Sequence, residues 1–218
     1  MIKASFFASA IVSMVSTVAS ADIIAGWSMP TAVPASTFGS TYNYGTADLG
    51  AMSSGTMLSG THSSATTAWT SPAGNGSTYA LSSNAWNVGD YYQISLATTG
   101  YSSVTVGWDQ TRSSTGPAGF EGIFSVDGGS TFISLGTYTV NQVSWNATTT
   151  VTTSGFITAA SLADNQASVI VRFKVVTAGT STTTGTNRID NITVSGVIPA
   201  PGAIALLGLA GLVSRRRR

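Results

Sequence analysis

The side chains of this sequence that could do acid–base chemistry are few and scattered. Eight carboxylates and a single histidine, His62, stand beside no cysteine at all. A disulfide framework, a thiolate zinc site and a cysteine nucleophile are therefore excluded. Asp109 and Glu121 are the carboxylates that neighbouring strands could bring together for glycoside hydrolysis, which needs a separation of about 5–10 Å. We interpret them instead as a solvated carboxylate at a strand end and a glutamate beside a hairpin.

His62 is flanked by Gly, Ser and Thr, a composition that predicts a polar loop. A chain with this much serine contains the residue types of a Ser/His/Asp triad by chance. The sequence has no nucleophile-elbow motif that would support such a triad. A single histidine also argues against a transition-metal site. We therefore predict no catalytic residues and no enzymatic activity.

Strands, not helices, are predicted to position these groups. Apolar residues alternate with polar ones at three places: Tyr92, Ile94 and Leu96; Val104, Val106 and Trp108; and Val169, Val171, Phe173 and Val175. A period of two places such residues on one face of a half-buried strand. Shorter apolar runs, at residues 22–27 and at Ile192 and Val194, predict the first and last strands.

A hairpin is predicted around the Asp-Gly-Gly-Ser segment at residues 127–130, between two runs rich in β-branched and aromatic residues. Glycine readily adopts the positive φ angle that tight hairpin turns require. Short strands separated by Gly, Ser and Thr are typical of an antiparallel β-sandwich, here of the jelly-roll type, with the first and last strands as neighbours. Residues 161–165 suit one helical turn, and residues 31–76 predict long loops and irregular strands.

The composition excludes two classes of protein. Only 8% of the residues are charged while 43% are hydrophobic, and disordered chains show the reverse balance. Between residues 22 and 196 there are four basic and eight acidic residues, a formal charge of −4. Because nucleic-acid binding needs clustered Lys and Arg to neutralise phosphates, no nucleic-acid partner is predicted.

The first 21 residues predict a secretory signal peptide. Lys3 is a basic start, residues 6–18 form an apolar run, and Ala19 and Ala21 give the small-x-small pattern of a signal-peptidase site. Cleavage before Asp22 would leave the mature chain outside the cytoplasm. A membrane-spanning N-terminal anchor is the alternative interpretation.

Residues 197–218 predict a short membrane segment. Its sequence markers are Pro199, Ala200, Pro201 and Gly202 at the start and Arg215, Arg216, Arg217 and Arg218 at the end. The seventeen apolar residues from 197 to 213 would span about 26 Å as a helix, which is marginal for a hydrocarbon core of about 30 Å. The arginines are expected to stay on the cytoplasmic side.

This tail resembles the PEP-CTERM sorting signal of bacteria, which has a Pro-x-Pro motif, a short helix and a terminal arginine cluster. In that family a membrane protease, the exosortase, removes the tail as the protein reaches the surface or matrix. Ala200 departs from the family pattern, which has Glu at that position. The resemblance implies signal peptidase and an exosortase-like protease as partners, with transient contact to the inner membrane. A plain C-terminal membrane anchor is the alternative.

Four segments of the body, at residues 104–117, 120–129, 169–174 and 188–194, resemble in their order the jelly-roll domains that bacteria export. Such lamin-G-like or carbohydrate-binding-module-like domains often precede PEP-CTERM tails. The resemblance implies a jelly-roll body. Its composition, rich in hydroxyl groups and poor in charge, would suit contact with polysaccharide through hydrogen bonds.

The same resemblance makes Asp190 and Asn191 the candidate ligands of a structural calcium ion, which jelly-roll modules hold through Asp side chains and backbone carbonyls. In the alternative interpretation, Asp190 pairs with Arg112 or Arg188, or caps a turn. No other cofactor is predicted. Trp86, flanked by polar residues, is the candidate glycan contact, although most tryptophans of a sandwich pack in its core.

We therefore predict three segments: a signal peptide at residues 1–21, a β-sandwich domain at residues 22–196 and a sorting or anchor segment at residues 197–218. The predicted function is a non-catalytic structural or adhesive role at the cell surface, in an exopolysaccharide-rich envelope or matrix. A dedicated carbohydrate-binding module is the first alternative, and a secreted glycan hydrolase or lyase is the second.

Overall fold

The computed structural model describes residues 20–151, 154–158 and 161–199. Its elements in chain order are β1 (Ala21–Trp27), β2 (Thr37–Phe38), β3 (Thr41–Gly45), β4 (Met57–Thr61), β5 (Ala68–Thr70), β6 (Leu81–Ser83), β7 (Tyr91–Leu96), β8 (Ser102–Arg112), β9 (Gly119–Ser125), β10 (Ile133–Thr139), β11 (Ser154–Thr158), a 3-10 turn (Ser161–Ala163), β12 (Val169–Thr177) and β13 (Asn187–Val197). The predicted signal peptide up to residue 19 and the predicted sorting segment from residue 200 lie outside the described residues. Within the described ranges, no helix has the length and apolar character needed to cross a membrane.

The strands form two antiparallel sheets. Sheet A has the order β11-β8-β13-β6-β5-β2, and β1 pairs with the C-terminal half of β13, beyond the stretch that pairs with β6. Sheet B has the order β10-β9-β12-β7-β4-β3. The predicted antiparallel β-sandwich is confirmed. The first and last described strands are neighbours as predicted, with Trp27 of β1 opposite Ile192 of β13.

Strict alternation of burial builds the core between the sheets. Every second residue of β7 is buried, namely Tyr92, Ile94 and Leu96, and β12 repeats this pattern with Val169, Val171, Phe173 and Val175. Successive side chains of a strand point to opposite faces, so these residues meet the inner side chains of sheet A. The Trp108 ring of β8 lies 4.6 Å from the Phe173 ring of β12, measured between centroids.

The turn predicted at residues 127–130 joins β9 to β10, which pair from Ile133 opposite Phe124 to Thr139 opposite Gly119. Gly128 and Gly129 both have positive φ angles, 73° and 91°, a conformation that costs glycine little. The Asp127 carboxylate holds this turn together, because it accepts hydrogen bonds from the Thr131 hydroxyl and amide. Those hydrogen bonds, that from the hydroxyl first, lower the pKa of Asp127.

The region predicted to be irregular, residues 31–76, contains the four short strands β2 to β5. They extend one edge of each sheet: β2 and β5 belong to sheet A, and β3 and β4 belong to sheet B. The single helical turn predicted near residue 161 is the 3-10 turn. Residues Ala21–Pro199 form one compact unit.

Candidate functional site

A group of half-exposed polar residues on the side of sheet B that points away from the core is called here the polar face. It consists of Ser59 and Thr61 on β4, Tyr91 and Gln93 on β7, Glu121 on β9, and Arg172 and Lys174 on β12. Strand register places these residues in two rows across the sheet, because Gln93 stands opposite both Ser59 and Arg172. Tyr91 likewise stands opposite Thr61 and Lys174, and Lys174 opposite Glu121.

Arg172 is the most constrained side chain of the polar face. Its guanidinium carbon lies 4.2 Å from the ring centroid of Tyr91 and 4.2 Å from that of Phe132, a distance at which a cation is attracted to an aromatic ring. Arg172 Nε also donates a hydrogen bond of 2.7 Å to Gln93 Oε1. The residues that the structure describes provide no hydrogen-bond acceptor for its two Nη groups, so this fixed fork presents its remaining donors to solvent.

Beside Arg172, the polar face carries one ion pair. Lys174 Nζ lies 2.9 Å from Glu121 Oε2, and the Ser134 hydroxyl donates to Glu121 Oε1. The hydrogen bond from Lys174, followed by that from Ser134, lowers the pKa of Glu121. Glu121 is thus an ionised acceptor in a surface pair, whereas Asp109 lies on β8 of the other sheet with different partners. The structure does not bring Asp109 and Glu121 together as an acid–base pair.

Asp190 and Asn191 belong to a buried hydrogen-bond network on sheet A. Asp190 Oδ2 accepts from the Asn75 amide (2.7 Å) and from the Ser77 hydroxyl (2.6 Å), and Oδ1 accepts from the Asn191 amide (2.8 Å). Asp109, directly opposite Asp190 in the ladder, accepts from the side-chain amides of Asn75 and Asn191. A Cβ atom on Gly74 would collide with Ser77 Oγ and Asp190 Oδ2, so this network needs glycine there.

These contacts do not fit the predicted calcium site. Burial first, and the nearby Asp109 charge to a smaller extent, raise the pKa of Asp190 to about 6 against the lowering effect of its hydrogen bonds. Three N–H and O–H donors point at the Asp190 carboxylate, and a cation placed there would meet their positive ends. No cluster of three His, Cys, Asp or Glu side chains able to hold a metal occurs in the described part of the chain. The alternative, in which Asp190 binds backbone amides of a turn, agrees with these contacts.

Trp86 is fully buried, so the prediction that it is an exposed glycan contact is wrong. Its indole Nε1 donates to the Ser83 carbonyl at 2.9 Å. Its ring packs against His62, Tyr92 and Phe120, with centroid separations of 4.1, 4.9 and 6.0 Å. The polar residues around Trp86 in the sequence belong to the segment that turns back into the core, which local composition does not reveal.

His62 does not lie in a solvated loop as predicted: it follows β4 directly and is only 4% exposed. Its Nδ1 lies 3.4 Å from Asp90 Oδ2 and 3.3 Å from the Ala85 carbonyl. Both neighbours are acceptors, so Nδ1 carries the proton of the neutral ring. Nε2, at 3.2 Å from Ser83 Oγ, then accepts from that hydroxyl. Burial lowers the pKa of His62, against the raising effect of the Asp90 charge.

Ser83, His62 and Asp90 thus have the connectivity of a hydrolytic triad, yet they are enclosed. Ser83 is 1% exposed and Asp90 is 4% exposed, and the serine hydroxyl contacts the buried Tyr92 hydroxyl at 3.3 Å. No substrate carbonyl can approach that hydroxyl in this arrangement. The group acts as a hydrogen-bond network that fixes the core. Leu58, Gly60 and His62 keep the period-two burial of β4, and extending that alternation by one residue would have placed His62 inside.

No protein-family model and no curated protein sequence matches the chain. Among solved structures, the K1 cleaved adhesin domain of Lys-gingipain from Porphyromonas gingivalis W83 is 12% identical, covering 78% of this chain and 95% of that chain, with a TM-score of 0.43. The xylan-binding domain from CBM 22 is also 12% identical, covering 77% of this chain and 99% of that chain, with a TM-score of 0.41. TmCBM61 in complex with β-1,4-galactotriose is 13% identical, covering 65% and 88%, with a TM-score of 0.34. With TM-scores below 0.5, these similarities assign neither a family nor a ligand to the chain.

Proposed function

We propose that this chain is an exported, non-catalytic jelly-roll protein that contacts extracellular polysaccharide through its polar face. Its role is structural or adhesive, at the cell surface or in an exopolysaccharide-rich matrix. The observation that carries the proposal is the fixed Arg172 fork, held between Tyr91 and Phe132 within rows of hydroxyl and amide groups. Such a fork donates two parallel hydrogen bonds to a pair of oxygens.

A polysaccharide chain has the matching chemistry. Each sugar ring presents adjacent hydroxyl oxygens at its rim and C–H groups on its faces. The hydroxyl oxygens suit the Nη donors of Arg172 and the amide of Gln93, and the C–H groups suit the half-buried rings of Tyr91 and Phe132. Because both rows run across the strands of sheet B, several sugars in sequence can lie along them. Binding spread over such rows suits adhesion to a polymer.

A non-catalytic role is supported by where the acid–base groups lie in the fold and by their hydrogen-bond partners. The only histidine of the chain, His62, is buried with Ser83 and Asp90. Asp109 and Asp190 are buried in a second network, at 5% and 0% exposure. Glu121 remains at the surface but is paired with Lys174. On the polar face, the groups beside the glycan would therefore bind and orient it.

We expect Arg172→Ala and Tyr91→Ala each to weaken polysaccharide binding by about tenfold or more. The first variant removes the fork with its hydrogen-bond donors, and the second removes one of the two rings that hold the fork in place. The measurement is a screen of residues 21–199 against a glycan array. It is followed by affinity electrophoresis in gels that contain the polysaccharides to which the protein bound on the array. Including EDTA in a parallel series shows whether binding needs a divalent cation, and we expect no dependence.

The matched control is Phe38→Ala, which removes an aromatic ring that is 65% exposed on sheet A. This variant should bind like the unmodified chain, and thermal melts of all variants verify that folding is retained. Saturable binding of one glycan would identify a dedicated carbohydrate-binding module, and weak binding of many would identify an adhesive matrix protein. Binding lost in Phe38→Ala and kept in Tyr91→Ala would move the contact surface to sheet A.

We also propose that the ends of the chain direct it outward. Residues 1–21 would act as a signal peptide with Ala19, Ala21 and Asp22 at the cleavage site, and residues 197–218 as a PEP-CTERM-like sorting segment recognised by an exosortase-like protease. We expect deletion of residues 199–218 to release the protein into the medium, as measured by immunoblots of medium and envelope fractions. A second variant, in which residues 215–218 are all replaced by alanine, should behave like the deletion. Unchanged retention of the deletion variant in the envelope fraction would contradict this proposal.

A further inference from the structure

A second polar site lies on sheet A, at the C-terminal end of β8 and the N-terminal end of β13. It is a cavity of about 210 Å³, closed on one side by the segment that follows β10. Its lining consists of Thr111, Arg112, Ser113, Gln142, Val143, Ser144, Trp145, Thr186 and Arg188. This volume is below the roughly 300–1,000 Å³ of pockets for drug-sized ligands, so it suits one small molecule or one sugar ring.

The charge of this cavity is opposite to that of the body around it. Two of the four basic residues between residues 22 and 196, Arg112 and Arg188, line it, although that stretch has a formal charge of −4. No carboxylate occurs in the lining, and neither arginine forms an ion pair within residues 20–151 and 161–199. Strand register places Arg188 opposite Thr111 and Arg112 opposite Asn187, so the side chains of Arg188 and Arg112 project from opposite faces of sheet A. Arg188 is therefore the cation that can face a ligand here, and an anion beside it would gain a favourable charge interaction.

The two arginines differ in how they are held. Arg112 Nε donates to the Val140 carbonyl at 3.0 Å, and its Nη1 donates to the carbonyls of Ser113 and Ser114 at 3.1 Å each. The Arg112 guanidinium is thereby fixed by backbone carbonyls. Arg188 is half-buried and its side chain makes no hydrogen bond with any described residue. Burial lowers the pKa of its guanidinium. Because the ordinary pKa of arginine is so high, the group remains charged.

The lining contains further polar groups that could bind a ligand. The Gln142 amide and the Ser144 hydroxyl make no hydrogen bond with the described residues, and Trp145 contributes an indole wall that is 8% exposed. An amide and a hydroxyl can donate to and accept from sugar hydroxyls, and an indole ring packs against sugar C–H groups. The lining therefore combines positive charge with the polar and aromatic groups that suit a sugar.

We propose that this cavity binds the carboxylate of an acidic sugar, a single uronic-acid residue. Arg188 donates to the carboxylate through two parallel N–H groups, as guanidinium–carboxylate pairs commonly do. Gln142 and Ser144 pair with the ring hydroxyls. The requirement for a carboxylate rests on the cavity alone, whereas the requirement for a sugar rests on the polysaccharide-contact function proposed above.

The test is an NMR titration of the full ¹⁵N-labelled chain with D-glucuronate, D-glucose and sodium sulfate, at low and at physiological salt. The indole N–H signal of Trp145, identified by its loss in Trp145→Phe, reports on the cavity. We expect saturable shifts with glucuronate, none with glucose, and weaker binding of sulfate, which has no hydroxyls for Gln142 and Ser144. Sulfate binding as tight as that of glucuronate, or glucose binding as tight, would overturn the acidic-sugar assignment.

Arg188→Gln is expected to weaken glucuronate binding by about tenfold or more, and Arg188→Lys by less, because lysine keeps the charge without the fork. The matched control is Ala65→Glu, which lowers the net charge by the same unit at an exposed loop position outside the lining. Glucuronate binding that both Arg188 variants leave unchanged would overturn the proposal. If the chain does not bind glucuronate but binds polysaccharide in a way that requires Tyr91, only the cavity assignment is overturned. Glucuronate binding in a chain that retains no polysaccharide would support the carboxylate site and contradict the function of the polar face.

Discussion

Replacing Asp190 with alanine is expected to lower the free energy of unfolding by about 3–5 kcal/mol. The Asp190 carboxylate accepts hydrogen bonds from the Asn75 amide, the Ser77 hydroxyl and the Asn191 amide. Because Asp190 is fully buried, alanine would leave these three donors without an acceptor where water does not reach. Urea denaturation followed by tryptophan fluorescence measures the change.

Two variants serve as controls for this experiment, and melts with calcium and with EDTA test whether a cation stabilises the chain. Asp190→Asn keeps one acceptor oxygen but turns an N–H group toward the donors, so its loss should be intermediate. Asp22→Ala removes an exposed carboxylate from β1 of the same sheet and should change stability by less than about 0.5 kcal/mol. Neither calcium nor EDTA should shift the melting temperature of the unmodified chain. A calcium-dependent rise that disappears in Asp190→Ala would restore the calcium site predicted for Asp190 and Asn191.

Trp86→Ala should also cost about 3–5 kcal/mol of unfolding free energy, as expected when a large aromatic side chain is removed from a packed core. The indole fills the space between His62, Tyr92 and Phe120, and its N–H satisfies the Ser83 carbonyl. For a chain of this size, such a loss lowers the melting temperature by roughly 10 °C. A thermal melt followed by circular dichroism at a β-sheet wavelength measures this shift.

Trp86→Phe is the matched variant, because it keeps an aromatic ring in the core while leaving a smaller cavity and no N–H donor. Its loss should be clearly smaller than that of Trp86→Ala, and at temperatures where it is folded its polysaccharide binding should equal that of the unmodified chain. An unchanged melting temperature combined with lost glycan binding in Trp86→Ala would mean that Trp86 is a surface contact after all.

The elements that could be predicted are those encoded by neighbouring residues. The alternation at Tyr92, Ile94 and Leu96 defines both the strand and its buried face, since side chains of a strand alternate between faces. The hairpin turn needed only the glycines at 128 and 129, with their positive φ angles. These features depend on a few consecutive residues, so single-sequence reasoning can identify them.

The candidate sites could not be predicted in this way. Asn75 and Asp190 are 115 residues apart in the chain, yet the amide of one binds the carboxylate of the other. Asp190 was predicted to lie next to the last strand, but it lies within β13. Two of its three donors, Asn75 and Ser77, come from one distant segment of the chain. Trp86 looks like a loop residue by local composition, and it is buried because the segment around it turns back into the core. Arg188 and Gln142 line one cavity because the segment after β10 is bound to the end of β8, where the Thr111 hydroxyl donates to the Val143 carbonyl.

By itself, the sequence determined that this chain is an antiparallel sandwich of short strands, where its main hairpin turns, and which faces of β7, β8 and β12 are buried. The tertiary structure decided which polar residues are exposed and which are enclosed, and which of them share a site. The physical reason is that burial of a polar group depends on partners supplied by other strands, since a buried polar group is stable only when it is hydrogen-bonded. Those partners are chosen by strand order and register, which the period of a single strand does not encode.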